Sequence, residues 1–338
     1  MASHLYLCST PLNMLVASLI ALSKPADKHI LAAIDQPGGK AHGLFDMINA
    51  WPESPFQNTR VISYKQKGLR NKRNARREAF ANIEQLLAEN TFEYIYTGND
   101  RRIEFQYAMH LAADTTIGVY MDDGTYSYIG KKSHWLSDKI IDAGIKKLSY
   151  GSWWRQPADI GASSWIKQAW LFKPEQAMAH LQSRTCFKIP AINQTAMASL
   201  TSIACQQAGL NSAELRDIQL LVLLPHESVL SPTNATLLSQ LLNKADTAHS
   251  AVKLHPRCQQ LPAQLQHAIQ NCKTLPSSIP VELLLPALPA CKVVADMSTV
   301  LLTIRWLRPD IRVEALPQAG HSSWMELLAN NQIQEFKI

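Results

Sequence analysis

The chain is organised around the stretch Gly118-Val119-Tyr120-Met121-Asp122-Asp123-Gly124-Thr125. An apolar run with a β-branched and an aromatic residue leads up to two adjacent carboxylates, and a glycine follows. This pattern predicts a buried strand whose carboxyl end delivers both acids into a crevice, which is where open α/β sheets bind ligands. Two neighbouring carboxylates repel each other, so at least one is expected to have the perturbed pKa that is common at catalytic sites. Asp-Asp-Gly is also ordinary turn chemistry, and these residues alone leave both interpretations open.

The composition bounds the class of protein. A chain of 338 residues with 46% hydrophobic residues predicts about two domains of about 150 residues each. The formal net charge of +6 favours anionic partners such as phosphates, acidic sugars or an anionic membrane, without choosing among them. The six cysteines form no Cys-x-x-Cys pair and no metal-ligand spacing, which indicates reduced, mostly buried thiols in a cytosolic protein.

The amino terminus predicts a first strand rather than a signal peptide, because residues 5–8 are apolar and are followed at once by Ser9-Thr10-Pro11. The longest apolar run, residues 14–22, is shorter than the roughly 18 residues that a membrane span needs. We therefore expect a soluble, cytoplasmic protein that is at most peripheral at the inner membrane.

Short apolar strands alternate with amphipathic helices over the first half, which predicts a parallel sheet. Thr10-Pro11 is a typical helix start, and Thr10 either caps that helix or helps its free amides to hold an anion. Asn99 follows the strand predicted over residues 92–96. It either donates to a carboxylate in the crevice or belongs to an ordinary Gly-Asn-Asp turn.

Residues 65–77 hold seven cations and one apolar residue larger than alanine. Such a run is usually a solvated loop and helix start. It can also bind an acidic polymer or an anionic lipid surface, with a gain of about 1 kcal/mol per cation near a membrane. Nucleic acid is a weaker candidate, because no aromatic residue is interleaved with the charges.

The middle of the chain predicts a change of domain. Periodicity weakens over the tryptophan-containing residues 135–170, and residues 182–209 are alanine-rich and predicted to be helical. The continuously apolar strand predicted at residues 217–225 suits a parallel sheet that is covered on both faces. We predict a first α/β domain over residues 1–160, a helical connector over 161–215 and a second α/β domain over 216–338.

Residues 251–257 predict a strand in which Lys253, His255 and Arg257 alternate and therefore point to the same side, where they would converge on a phosphate. A satisfied structural histidine is the alternative for His255. Ser298 and Thr299 lie between a predicted strand and helix, where their hydroxyls either bind a phosphate or cap the helix.

Three motifs in this order resemble those of bacterial sialyltransferases: Asp122-Asp123-Gly124, His255-Pro256 and Ser298-Thr299. With the opening Cys8-Ser9-Thr10-Pro11-Leu12, the chain most resembles glycosyltransferase family 52, the lipooligosaccharide sialyltransferases. The resemblance implies a GT-B fold, in which two Rossmann-like domains with parallel sheets face each other across a cleft. It further implies that the acceptor binds mainly to the first domain and a CMP-activated sugar to the second.

The resemblance also implies residue roles. Asp123, beside Asp122, would be the general base, and His255 would assist the departing phosphate. Ser298 and Thr299 would hold that phosphate, with Ser-Thr standing where some relatives have Ser-Ser. Lys253 and Glu282 match a lysine two residues before the histidine and an acid that grips the ribose. The full set expected to bind the donor is Lys253, Pro256, Arg257, Glu282, Ser298, Thr299, Gly124, Asn99 and Thr10.

Sequence and resemblance together predict an inverting sialyltransferase that uses CMP-sialic acid, or a related nonulosonic acid, to modify a bacterial lipooligosaccharide, O-antigen or capsule. We expect no metal and no cofactor other than the donor, because CMP leaves as an anion that cations and a helix amino terminus can stabilise. One alternative is a transferase for CMP-Kdo or a UDP-sugar. The other is a non-catalytic protein that binds glycans or a membrane surface through residues 65–77.

Overall fold

A computed structural model of the chain describes residues 1–37, 43–130, 151, 153–255, 258, 262–296, 298–317 and 322–337. The chain divides into two compact units. The first comprises Met1–Asn49 and Ser54–Pro190, and the second comprises Ala50–Glu53 and Ala191–Ile338.

The first unit contains a seven-stranded parallel sheet in the order β3-β2-β1-β4-β5-β6-β7. Its strands are β1 (Ser3–Cys8), β2 (Lys28–Ala33), β3 (Asn58–Val61), β4 (Tyr94–Thr97), β5 (Ile117–Met121), β6 (Ile166–Leu171) and β7 (Thr185–Lys188). The helices described in it are α1 (Pro11–Leu22), α2 (Gly43–Ala50), α3 (Leu69–Glu89), α4 (Ile103–Leu111), α5 (Tyr126–Ile129) and α6 (Ala179–Gln182). The central strands are buried nearly throughout, because helices cover both faces of a parallel sheet.

The second unit contains a six-stranded parallel sheet in the order β10-β9-β8-β11-β12-β13. Its strands are β8 (Leu220–Leu223), β9 (Ser250–Lys253), β10 (Lys273–Leu275), β11 (Lys292–Ala295), β12 (Arg312–Ala315) and β13 (Gln334–Glu335). Its described helices are α7 (Gln194–Gln207), α8 (Pro232–Lys244), α9 (Gln266–Ile269), α10 (Thr299–Leu307) and α11 (Ser322–Asn330). Leu238, Val252 and Val294 lie in an apolar core that joins helices to the sheet.

Both sheets have the doubly wound Rossmann order, in which the third, second and first strands precede the fourth and later ones. The direction of winding reverses between β1 and β4 in the first unit and between β8 and β11 in the second. Ligands of such sheets bind outside the carboxyl ends of the strands at these switch points. The prediction of two parallel α/β sheets is therefore confirmed, and each sheet has one switch point at which a ligand is expected to bind.

One local prediction was wrong. Residues 161–190 are not part of a helical connector, because β6 and β7 extend the first sheet there and only α7 matches the long helix that was expected. Val281–Leu283, which carries Glu282, is a single 3₁₀ turn that follows Pro280. Across the described residues, every helix is too short or too polar to span a lipid bilayer.

Candidate functional site

Residues 118–125 form most of β5 and the turn that follows it, as predicted. Asp122 and Asp123 come directly after the last residue of β5, which pairs with β4 beside the switch point of the first sheet. Gly124 adopts a φ of 78°, a left-handed conformation that glycine accepts without strain and that turns the chain into α5. Both carboxylates therefore stand at the edge of the sheet where ligands bind.

Asp122 is completely buried and holds the turn together. Its Oδ1 accepts hydrogen bonds from the Gly124 amide at 2.9 Å and the Ser127 hydroxyl at 2.8 Å. Its Oδ2 accepts from the Phe172 amide at 3.0 Å and from the Tyr128 hydroxyl. Burial raises the pKa of Asp122 to about 6, although these donors favour the charged form. Because protein donors engage both oxygens, the geometry favours a structural role for Asp122.

Asp123 is half-buried and has a different environment. Burial raises its pKa to about 7, and the charge of Asp122 adds to that increase. A hydrogen bond of 3.1 Å from Nδ2 of Asn13 to Oδ1 of Asp123 favours the charged form, as does the positive charge of Arg102. A carboxyl group that titrates near neutral pH at a ligand-binding edge has the properties of a general base.

Sequence reasoning missed Asn13, which positions Asp123. Asn13 lies in the first turn of α1, is 1% exposed, and its backbone amide donates to Oγ1 of Thr10 at 3.2 Å. Gly98 makes room for it, because a Cβ atom at residue 98 would lie 2.2 Å from Nδ2 of Asn13. The sequence signal was an amide side chain in a mostly apolar helix, two residues after the Ser-Thr-Pro start.

Thr10 and Asn99 have the structural roles that the sequence allowed, a helix cap and a local turn. Thr10 is the N-cap of α1. The side-chain oxygen of Asn99 accepts from the Arg101 amide at 3.0 Å, and the backbone amide of Asn99 donates to Thr97 Oγ1 at 3.1 Å, which makes a local turn. Neither contact reaches Asp123, so the support for Asp123 comes from Asn13.

Lys253 is the last residue of β9 and is 5% exposed. Its Nζ donates to the carbonyl oxygens of Pro276 at 2.9 Å and Ser277 at 3.5 Å. Burial lowers the pKa of Lys253 to about 8, although the negative charge of Glu282 acts to raise it. Burial in turn raises the pKa of Glu282, and the positive charge of Lys253 works against that shift. Lys253 and Glu282 thus interact in the second unit.

The predicted alternation of Lys253, His255 and Arg257 along one strand is wrong, because β9 ends at Lys253. Pro256 lacks the N–H that a strand ladder needs, and it restricts the residue before it. Pro256 and Arg257 themselves lie outside the described residues. The two remaining side chains therefore do not share one face of a strand.

His255 is half-buried just beyond β9, and its carbonyl oxygen accepts from the Cys258 amide at 2.8 Å. Its ring packs edge-on to that of His226, with the ring centroids 5.7 Å apart. His226 follows β8, the strand beside β9, and its Nδ1 lies 2.8 Å from the Ser228 hydroxyl. Two imidazoles from adjacent strand ends thus meet at the carboxyl edge of the second sheet, and the sequence had pointed to only one of them.

Ser298 and Thr299 lie at the start of α10, as the strand-turn-helix pattern predicted. Ser298 is exposed and is the N-cap, and its Oγ accepts from the Val300 amide at 3.4 Å. Thr299 is the first helical residue. This turn follows β11, so it lies at the switch point of the second sheet, and β8 alone separates β11 from β9.

Each unit thus gathers part of the candidate site. The first unit places the predicted Asp123 with Asn13 and Gly98, which were not predicted. The second places Lys253 and His255 at the end of β9 and Ser298 at the end of β11. Within the described residues, no group of three or more histidine, cysteine or acidic side chains has the arrangement of a metal site.

No protein-family model matches this sequence, and no curated protein matches it significantly. Solved structures do match nearly the whole chain. An α/β-galactoside α-2,3-sialyltransferase from the luminous marine bacterium Photobacterium phosphoreum has a TM-score of 0.60 at 11% identity, over 99% of this chain and 98% of that one. A UDP-GlcNAc 2-epimerase from Neisseria meningitidis bound to UDP-GlcNAc has a TM-score of 0.53 at 11% identity, over 99% and 87%. The glycotransferase of kitacinnamycin has a TM-score of 0.52 at 12% identity, over 99% and 86%.

Two doubly wound parallel α/β domains and these structural neighbours show that the chain has the GT-B fold. At 11% to 12% identity the likeness concerns the fold, and function has to be argued from the site.

Proposed function

We propose that this chain is an inverting glycosyltransferase that moves sialic acid, or a related nonulosonic acid, from a CMP-activated donor to a hydroxyl group of a bacterial surface glycan. The observation that carries the proposal is the half-buried Asp123 carboxyl at the end of β5, whose pKa is raised to about 7. The fold shared with a bacterial α-2,3-sialyltransferase and the order of the three motifs support this choice of donor.

Asp123 acts as the general base. It takes the proton from the acceptor hydroxyl while the bond between the sugar and the CMP phosphate breaks through a cation-like state. A base with a pKa near 7 is matched to this task, because it is substantially ionised at neutral pH and still binds a proton well. Asn13 holds the carboxylate through Oδ1, and Asp122 fixes the turn that carries it.

The second unit stabilises the leaving CMP. His255 assists the departing phosphate, and the amides and hydroxyls of Ser298 and Thr299 at the start of α10 bind its oxygens. The buried Lys253 adds positive charge, while Glu282 binds the ribose. We assign Pro256 and Arg257 to the same donor site. These groups supply the charge stabilisation that a metal provides in other transferases.

Replacing Asp123 with asparagine tests the base. We expect Asp123→Asn to lower the rate of transfer from CMP-sialic acid by about 10²- to 10⁴-fold, which is the usual contribution of a general base. Stabilisation by CMP in a thermal-shift measurement should stay near that of the wild type, because the base does not bind the nucleotide. Asp114→Asn removes one exposed acid of the same unit and is the matched control. Transfer that persists in Asp123→Asn at the wild-type rate would refute the assignment.

Replacing His255 with alanine tests the leaving-group residue. Turnover should fall strongly, whereas His249→Ala, which removes an exposed histidine just before β9, should leave it unchanged. Equal turnover in the two variants would exclude His255 from the mechanism.

The donor is tested by thermal shifts with CMP, UDP and GDP, because a ligand that binds only the folded state raises its stability. We expect CMP to stabilise the protein most. Preferential stabilisation by UDP would favour a UDP-sugar transferase instead, an alternative supported by the fold shared with the UDP-GlcNAc-bound epimerase. Stabilisation by none of the three would favour a non-catalytic binding protein.

A further inference from the structure

The proposed reaction does not use the cations of residues 65–77. We call these seven side chains the basic patch: Lys65, Lys67, Arg70, Lys72, Arg73, Arg76 and Arg77. The segment contains no acidic residue. All seven side chains are exposed except that of Arg76, which is half-buried. Lys65 Nζ lies 3.7 Å from Asp35, so part of its charge is balanced locally.

The basic patch is one-sided. Lys65 and Lys67 lie in the loop before α3, and the other five cations of the basic patch lie on α3 itself. At about 100° per residue, these five helical cations fall within an arc of about 160°. Asn71, Asn74 and Glu78 lie on the other side of the helix.

The positive charge at the start of α3 is unfavourable for the helix itself. The first turn of α3 contains no acid, and its N-cap, Gly68, provides no side-chain cap. Positive side chains at a helix amino terminus oppose the helix dipole. Packing does not compensate, because Ala79 is the first residue of α3 classed as buried among those with described burial. A helix start that has no acid in its first turn and concentrates one sign of charge is typical of a surface that binds an anionic partner.

An aromatic cluster adjoins the basic patch. Phe80 lies one turn after Arg76 on the same side of α3, and its ring stacks on that of Tyr107 with the centroids 4.0 Å apart. The Tyr107 ring lies 5.3 Å from that of Trp153. Phe80, Tyr107 and Trp153 are all half-buried. Partly exposed tyrosine and tryptophan rings beside cations are characteristic of protein surfaces at the membrane interface.

We propose that the basic patch and the aromatic cluster of Phe80, Tyr107 and Trp153 bind the surface of an anionic lipid bilayer. A one-sided arc of cations matches a flat anionic surface, and the adjoining rings match the headgroup region. A single-stranded nucleic acid would instead favour aromatic rings interleaved with the charges, and the segment contains none.

Binding also orients the first unit. Because α3 follows β3, it begins at the carboxyl edge of the first sheet, the edge at which Asp123 lies. A bilayer held by the basic patch would therefore lie near that edge. If the proposed function holds, this brings the base close to an acceptor that is carried by membrane lipid. The lipid binding itself does not depend on that function.

The test is co-sedimentation of the full chain with vesicles of phosphatidylcholine alone or mixed with phosphatidylglycerol. We expect binding only to the mixed vesicles, and we expect it to weaken as salt is added. The triple variant Arg70→Gln, Arg73→Gln, Arg77→Gln should bind the mixed vesicles about 100-fold more weakly at low salt, because each cation removed should lower the affinity about fivefold. Trp153→Ala should also weaken binding to the mixed vesicles. The salt dependence should stay the same, because this substitution removes no charge.

The matched control is the triple variant Lys167→Gln, Lys188→Gln, Lys244→Gln, which removes the same charge from exposed positions outside the basic patch. It should bind like the wild type. Thermal unfolding of both triple variants checks that they are folded. Stabilisation by CMP is measured on the same proteins. If CMP stabilises the wild type but the vesicles do not bind it, this proposal fails and the proposed function does not. Equal binding by the two triple variants would overturn the proposal. Binding of the wild type to soluble heparin but not to the mixed vesicles would also overturn it, in favour of an acidic polymer.

Discussion

Removing the amide of Asn13 should raise the pKa of Asp123 further. Asn13 Nδ2 donates to Asp123 Oδ1 at 3.1 Å, and this bond stabilises the ionised form more than the neutral acid. A hydrogen bond to a charged group contributes about 1.5 to 3 kcal/mol. We take the lower figure, because the bond is long and Asp123 is half-buried. At about 1.4 kcal/mol per pKa unit, Asn13→Ala should move the pKa of Asp123 from about 7 to about 8.

The consequence is a shift in the acid limb of the pH–rate profile. At pH 7 the ionised fraction of Asp123 would fall from about one half to about one tenth, so kcat/KM for transfer should fall about fivefold. Near pH 9 the variant and the wild type should differ little. Carbon-13 spectra of the Asp123 carboxyl follow the same pKa without relying on any activity.

A second substitution perturbs the same bond from the other side. A Cβ at residue 98 would lie 2.2 Å from Nδ2 of Asn13, so Gly98→Ala should displace that amide and raise the pKa of Asp123 in the same direction. If the acid limb and the carboxyl titration stay unchanged in both variants, Asn13 does not tune Asp123 and our account of the base is wrong.

Three further predictions concern stability. The pKa of Asp123 is higher in the folded than in the unfolded protein, so its ionisation opposes folding as pH rises from about 4 to about 7. The full difference between the two pKa values corresponds to about 4 kcal/mol of unfolding free energy. Because Asp123 is partly exposed, we expect Asp123→Asn to raise the free energy of unfolding by only about 2 kcal/mol at pH 8. Urea unfolding should show this gain at pH 8 and no gain near pH 4. Asp122→Asn should cost about 2 to 4 kcal/mol, because an amide NH₂ would face donors that now bind a carboxylate, and a thermal midpoint equal to that of the wild type would contradict this. Burial lowers the pKa of His4 to about 4, so the stability it provides is complete above about pH 6.5 and is lost as pH falls to about 4, by about 3 kcal/mol. His4→Asn should therefore flatten the pH dependence of the urea midpoint over this range, and an unaltered slope would count against His4.

Much of the fold was predictable, because it depends on patterns within short segments. The apolar run that ends in Asp122-Asp123-Gly124 forms β5 and its turn, and Ser298-Thr299 starts α10 after β11. The strands β6 and β7 were missed because tryptophan-rich and polar residues obscure their alternation, and pairing along the edge of the sheet stabilises them.

The candidate site was only partly predictable. Sequence placed His255 at a strand end but could not pair it with His226, which is 29 residues earlier in the chain and meets it because β8 and β9 are neighbours. Asn13 was missed for the same reason, since its bond to Asp123 spans 110 residues.

Sequence alone determined most of the alternation of strands and helices, and which chemical groups stand at the ends of β5, β9 and β11, because periodicity and capping act over a few residues. Tertiary structure decided the order of the strands and the properties of each acid. Asp122 and Asp123 are the same residue type, but their environments differ. The amide of Phe172, 50 residues away in the chain, helps to fix Asp122. Burial raises the pKa of Asp123 to about 7, against the hydrogen bond from Asn13. Burial and hydrogen bonding set a pKa, and both depend on residues that only folding brings together.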